Sequence, residues 1–161
     1  MVTVDAVVFA VRAAELHVLL IRRGGAPFEG MWALPGGFLE MDEELETAVA
    51  RELLEETSVS GIRLEQFRTF GGLGRDPRGR VITVAYLGVA DWRVHTPRAR
   101  DDAADAAWHA VADLPKLASD HNLIIAHAVE YLCLILKGRP GDLGLLPETV
   151  PAEDLRRALR I

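Results

Sequence analysis

Glu52, Glu55 and Glu56 place three carboxylates within five consecutive positions of GFLEMDEELETAVARELLEETSV, the stretch from Gly37 to Val59. A glutamate-rich helix ordinarily shows that charge to water. Here the spacing argues against it. At about 100° per residue, Leu45, Ala48, Val49 and Leu53 trace an apolar stripe, and the three glutamates fall in a sector of roughly 100° that overlaps it. The carboxylates are therefore expected to face inward, where like charges repel unless a cation sits among them. Arg51 alone does not balance three of them. Hard divalent ions take oxygen ligands, and Mg²⁺ in particular combines a few carboxylates with waters and substrate phosphates.

These side chains need a helix, and the glycines and prolines of RRGGAPFEGMWALPGG forbid any long regular element before it. The helix is expected to begin near Asp42, an N-cap type, and to run to about Thr57, with Gly61 close behind to end it. Upstream, Val2 to Val11 and Leu16 to Ile21 form a predicted hairpin; downstream, Ile62 to Phe70 and Val81 to Trp92 are two more strands around GGLGRDPRGR. Ala107 to Val111 is a short strand candidate. Asp120 and His121 are read as capping a second helix through Lys137, whose apolar residues are dense enough to predict cover on both sides. Gly138 to Gly141 then break the chain. The tail from Gly141 holds one short amphipathic helix after Pro151, and Leu143, Leu145, Leu146, Leu155 and Leu159 predict that it packs on the body or on a partner subunit.

Composition limits the partners. With 161 residues, 50% hydrophobic and 26% charged, the chain makes one ordinary domain with a proper core. Its formal net charge of −6 offers no basic face for nucleic acid, so none is expected as a partner. Cys133 is the single cysteine and makes no intrachain disulfide. The first residues lack a basic leader, and Leu123 to Leu136 is too short to span a bilayer, so a soluble, cytoplasmic protein without a membrane partner is expected.

Gly37, Glu43, Arg51-Glu52-Leu53 and Glu55-Glu56, at these spacings, resemble the Nudix box of the Nudix hydrolases. Ser58 stands where the family pattern has glycine. The resemblance implies an α/β/α sandwich around a mixed sheet, with a Nudix domain over 1–137 and a tail over 138–161. It implies Mg²⁺ or Mn²⁺ held by Glu52, Glu55, Glu56 and the Gly37 carbonyl, with Arg51 holding the glutamates by ion pairing and Glu43 structural. Glu55 and Glu56 are both candidates for the base, and Asp102 is a lesser one.

The implied reaction splits a nucleoside diphosphate linked to another group. RDPRGRVITVAYLGVA and DDAADAAWHAVADLP look like the ADP-ribose pyrophosphatase branch, which favours ADP-ribose cleaved to AMP and ribose 5-phosphate. A nucleoside triphosphate is the alternative within enzymes; a non-catalytic sensor of ADP-ribose or NAD metabolites is the alternative outside them. LLPETVPAEDLRRAL resembles the first helix of a winged-helix domain in related regulators, but no recognition helix follows, which disfavours DNA binding. A homodimer is the family-level expectation. For the substrate, Arg22, Arg23 and Arg75 are candidate phosphate or ribose contacts, with a solvated strand end as the other reading of the first two. Trp32 is either a pocket wall or plain core. His109 and His127 are taken as structural.

Overall fold

The computed structural model describes residues 1–138 and 142–161. Strand β1 (Val2–Arg12) is the axis of the fold, buried without a break from Thr3 to Ala10. That run of apolar residues follows from cover on both faces of the sheet. Val4, Ala6 and Val8 point to one layer, with Leu53 and Val49 of helix α1 (Leu45–Thr57); Val7 and Phe9 point to the other, with Ile124 and Leu132 of helix α2 (His121–Gly138). A mixed sheet between helices results.

Strand β2 (Glu15–Arg23) returns antiparallel to β1 through Ala13 and Ala14, both at positive φ as primed hairpin turns demand. Strands β3 (Trp32–Ala33) and β4 (Gly36–Phe38) follow; β5 (Glu65–Phe70), β6 (Ile82–Val89) and β7 (Ala103–Ala110) complete the sheet. The path runs β3-β2-β1-β6-β5, with β4 pairing β1 and β7 pairing β2; the central β1–β6 pairing is parallel and these other strand pairings are antiparallel.

The glycine-punctuated segment holds no long element, as expected, but it does contain two short strands: a side chain at Gly36 would collide with the Val4 carbonyl, so glycine permits β4 to lie on β1. Three sequence expectations are corrected. Helix α1 starts at Leu45 and not near Asp42, because the Glu43 carboxylate accepts the Glu40 N–H at 3.2 Å and closes a turn before the helix. The last strand begins at Ala103, four residues earlier than its pattern suggests, and Val111 leaves it for a 3-10 turn. Helix α2 is covered on one side only, with Leu134 and Leu123 exposed.

Ser58 ends α1 at φ 61, a left-handed conformation that glycine adopts without steric cost. Its N–H donates to the Leu54 carbonyl at 2.9 Å, and its hydroxyl donates to the Arg98 carbonyl at 3.1 Å. In the tail, helix α3 (Ala152–Leu159) seats Leu155 in the same core as α2, beside Leu145 and Val150. The break expected at 138–141 falls largely on Arg139, Pro140 and Gly141, outside the described residues, as does the Leu143 side chain. Among the described residues no helix is long and apolar enough to cross a membrane.

Candidate active site

One cleft of about 330 Å³ opens where the C-terminal half of α1 faces the Leu34–Gly37 segment. Glu52 and Glu56 enter it from α1, Asp5 and Thr3 from β1, and Asp102 from the loop before β7. Asp102 is brought there by two backbone bonds: Arg100 N–H donates to the Glu56 carbonyl at 3.3 Å and Gly24 N–H to the Asp102 carbonyl at 2.9 Å. The opposite wall is the loop 71–80, with Arg75, Asp76 and Arg78, and the start of α2, with Ser119 and His121.

Arg51 organises the carboxylates. Its guanidinium grips Glu43 with two bonds of 2.7 and 2.9 Å, and its Nη1 reaches Glu52 at 2.9 Å and Glu55 at 3.1 Å. Glu43 is held below the usual carboxylate range by that contact, and the same bond raises Arg51 above its own. Glu56 is different. It is 4% exposed and accepts one N–H, from Gly36 at 2.9 Å. Burial, with Asp102, Glu52 and Asp5 nearby, pushes its pKa up to about 8; burial raises Glu52 as well. Gly37 lies directly under the Glu52 carboxylate, at a point a side chain would fill.

Among the described residues, no three acidic, histidine or cysteine side chains already stand together as a metal cage, since Arg51 draws Glu52 and Glu55 to itself. The donors present still suit a hard cation. They are oxygens, one of them on a desolvated carboxylate with no cation against it, and Mg²⁺ needs only one or two carboxylates if waters and substrate phosphates fill its shell.

The family description "NUDIX domain" matches residues 1–129. The chain belongs to the Nudix family. Over its whole length this Nudix chain is 35% identical to the "ADPR responsive transcriptional repressor NtrR" of Acinetobacter baylyi, and the match covers 66% of that protein. It is 42% identical over 108 residues, 67% of the chain, to the "ADP-ribose pyrophosphatase" of Methanocaldococcus jannaschii, again covering 63% of the relative. Among solved structures it is similar to the NUDIX domain of Shewanella oneidensis NrtR complexed with ADP ribose, with a TM-score of 0.76 and 39% identity over 82% of this chain and 88% of that one. NrtR complexed with a 27mer DNA matches with a TM-score of 0.80 and 34% identity over 99% of this chain and 74% of that one.

Within this Nudix site the structure separates the sequence-predicted residues. Glu52, Glu56, Arg51 and Gly37 line the cleft. Glu55 does not: its side chain is 46% exposed on the rim, where its carboxylate pairs with Arg51 at 3.1 Å. Arg23 lines the cleft and its Nε donates to the Pro27 carbonyl at 2.7 Å. Arg22 is exposed and outside the lining, in register between Trp32 and Asp105. Trp32 packs, partly buried, against the α2-side core and edge-on to His109 at 4.3 Å, outside the cleft lining. Arg75 reaches the cleft already paired to Asp120 by bonds of 3.0 and 2.8 Å.

That pair also corrects the capping assignment, since the Asp120 carboxylate serves Arg75 and His121 turns into the cleft. Sequence reading missed Asp5, whose carboxylate accepts the Thr83 hydroxyl at 2.6 Å; its signal was a lone acid in an apolar strand. Arg78 was missed as well. It pairs with Asp76 at 2.6 Å and covers the Phe38 ring at 4.7 Å.

Proposed function

We propose that this Nudix chain hydrolyses ADP-ribose to AMP and ribose 5-phosphate with Mg²⁺ or Mn²⁺. The observation that carries the reading is the convergence of Glu52 and buried Glu56 on the Gly36–Gly37 backbone at the cleft floor. Glu52, Glu56 and the Gly37 carbonyl would hold the ion. When bound, the ion neutralises phosphate charge and makes a water more acidic.

The chain's own groups do the rest. Arg51 partly offsets the effect of burial on Glu52 and aims its carboxylate. Arg23 forms no ion pair among the described residues and is free to meet a phosphate. Arg75 and Arg78, each already carrying an aspartate, shape the wall more than they attract charge. Water adds its oxygen to one phosphorus, the bridging P–O bond breaks, and the water's proton passes to a carboxylate. With Glu55 on the rim, that acceptor is Glu56 or Asp102. The named ligands of the M. jannaschii and S. oneidensis relatives support ADP-ribose over a nucleoside triphosphate.

A second reading has one specific observation behind it: the match to an ADPR responsive repressor runs through the tail, and a similar structure holds DNA. Net charge alone therefore does not support the expectation that nucleic acid is excluded. In that reading the cleft senses ADP-ribose and the response is passed to DNA. Multiple turnover of ADP-ribose with Mg²⁺, compared with NADH, dinucleoside polyphosphates and dNTPs, tests the first reading. Binding of ADP-ribose without turnover, with DNA retardation that ADP-ribose changes, would replace it with the second.

A further inference from the structure

We infer that His121 is a positioning residue that sets the metal cradle of this site by fixing the Leu34–Gly37 segment from the side opposite α1. The inference rests on the metal-dependent reading above. The Leu34 N–H donates to His121 Nδ1 at 2.9 Å, in a buried bond spanning 87 positions. Because a backbone N–H is the donor, Nδ1 carries no proton and the neutral ring holds its hydrogen on Nε2, which lies 3.8 Å from Asp5 Oδ1.

The next residue, Pro35, has no N–H, and its carbonyl accepts from Ala6 at 2.8 Å. Gly36 donates to Glu56 at 2.9 Å, and Gly37 lies against the Glu52 carboxylate. Four consecutive residues are thus pinned in turn by α2, β1 and α1. Without His121, the segment keeps its ties to β1 and α1 and loses its buried bond to α2 at Leu34. The neighbouring residues make the same junction firm: Ser119 donates to the Arg75 carbonyl, Asp120 holds the Arg75 guanidinium, and Ala118 N–H donates to the Trp32 carbonyl at 2.8 Å.

The test uses isosteric replacements. Asparagine places Oδ1 where Nδ1 stands and keeps an acceptor for Leu34; glutamine places its oxygen where Nε2 stands; leucine offers none. Mn²⁺ affinity of the full chain is measured by the paramagnetic resonance of free Mn²⁺, with circular dichroism melts to confirm folding. His121→Asn is expected within about threefold of wild type, and His121→Gln and His121→Leu weaker by about tenfold or more, as for lost orienting partners of metal ligands. Should His121→Leu fail to fold, the asparagine and glutamine variants decide alone. Equal Mn²⁺ affinity in all folded variants, or an asparagine variant as weak as the glutamine one, overturns the inference. A wild-type chain that binds Mn²⁺ but leaves ADP-ribose intact defeats the proposed reaction and leaves this inference standing. One that binds no Mn²⁺ overturns both.

Discussion

Glu56 and Glu55 are adjacent in sequence and sit in opposite environments, and their substitutions should separate accordingly. Glu56→Gln is expected to lower kcat by on the order of a thousandfold with the fold intact, the scale of a lost metal ligand or base. Glu55→Gln is expected to cost about tenfold or less, since that carboxylate already faces water. Steady-state kinetics at saturating Mg²⁺ check both. His121 gives a pH signature of its own. Burial pushes its pKa down; Asp5 and Asp120 oppose that, while Arg75 and Arg23 add to it. Below about pH 6.5 the unfolded chain takes up a proton that the folded chain refuses, so stability falls as pH drops through that range. Urea midpoints at pH 7 and pH 5 should differ less in His121→Asn than in wild type. Sequence could reveal the carboxylates by their spacing on a helix. It could not reveal that His121 would meet a backbone 87 positions away.

Helix α1 was legible because a periodic apolar stripe and a charge cluster coincide, whereas only the second half of β7 was, because DDAADAA carries neither β-branched residues nor alternation and is a strand only by pairing with β2. Strand β4 was hidden for another reason: glycine reads as a breaker, yet here it is what lets two backbones touch. The end of α1 offers a test at the same scale. Ser58 holds a left-handed backbone at φ 61, and Ser58→Gly removes that strain while giving up one exposed hydrogen bond. A gain of about 0.5 kcal/mol in unfolding free energy is expected from denaturant titration.

The tail belongs to the core of the whole molecule: Leu155 is fully buried against the α2 layer, and the Arg156 guanidinium donates to the Leu136 carbonyl at 3.1 Å. Leu155→Ala should cost about 2–5 kcal/mol, read as a lower denaturation midpoint with Mn²⁺ affinity unchanged, because Leu155 lies outside the cleft lining. Unchanged stability would place α3 outside the cooperative unit. The homodimer expected from the family resemblance is tested by light scattering on the same samples. The parallel pairing of β1 with β6 has a consequence for how the chain reaches this state. Val2 meets Ile82, eighty positions on, and Phe9 meets Val89. During synthesis at about 5–20 residues per second, the first strand waits on the order of 4–16 s for its central neighbour. In that interval the β1–β2 hairpin carries an apolar, unpaired edge, so ribosome-bound chains whose β6 has not yet left the exit tunnel should recruit chaperones and resist folding until it does.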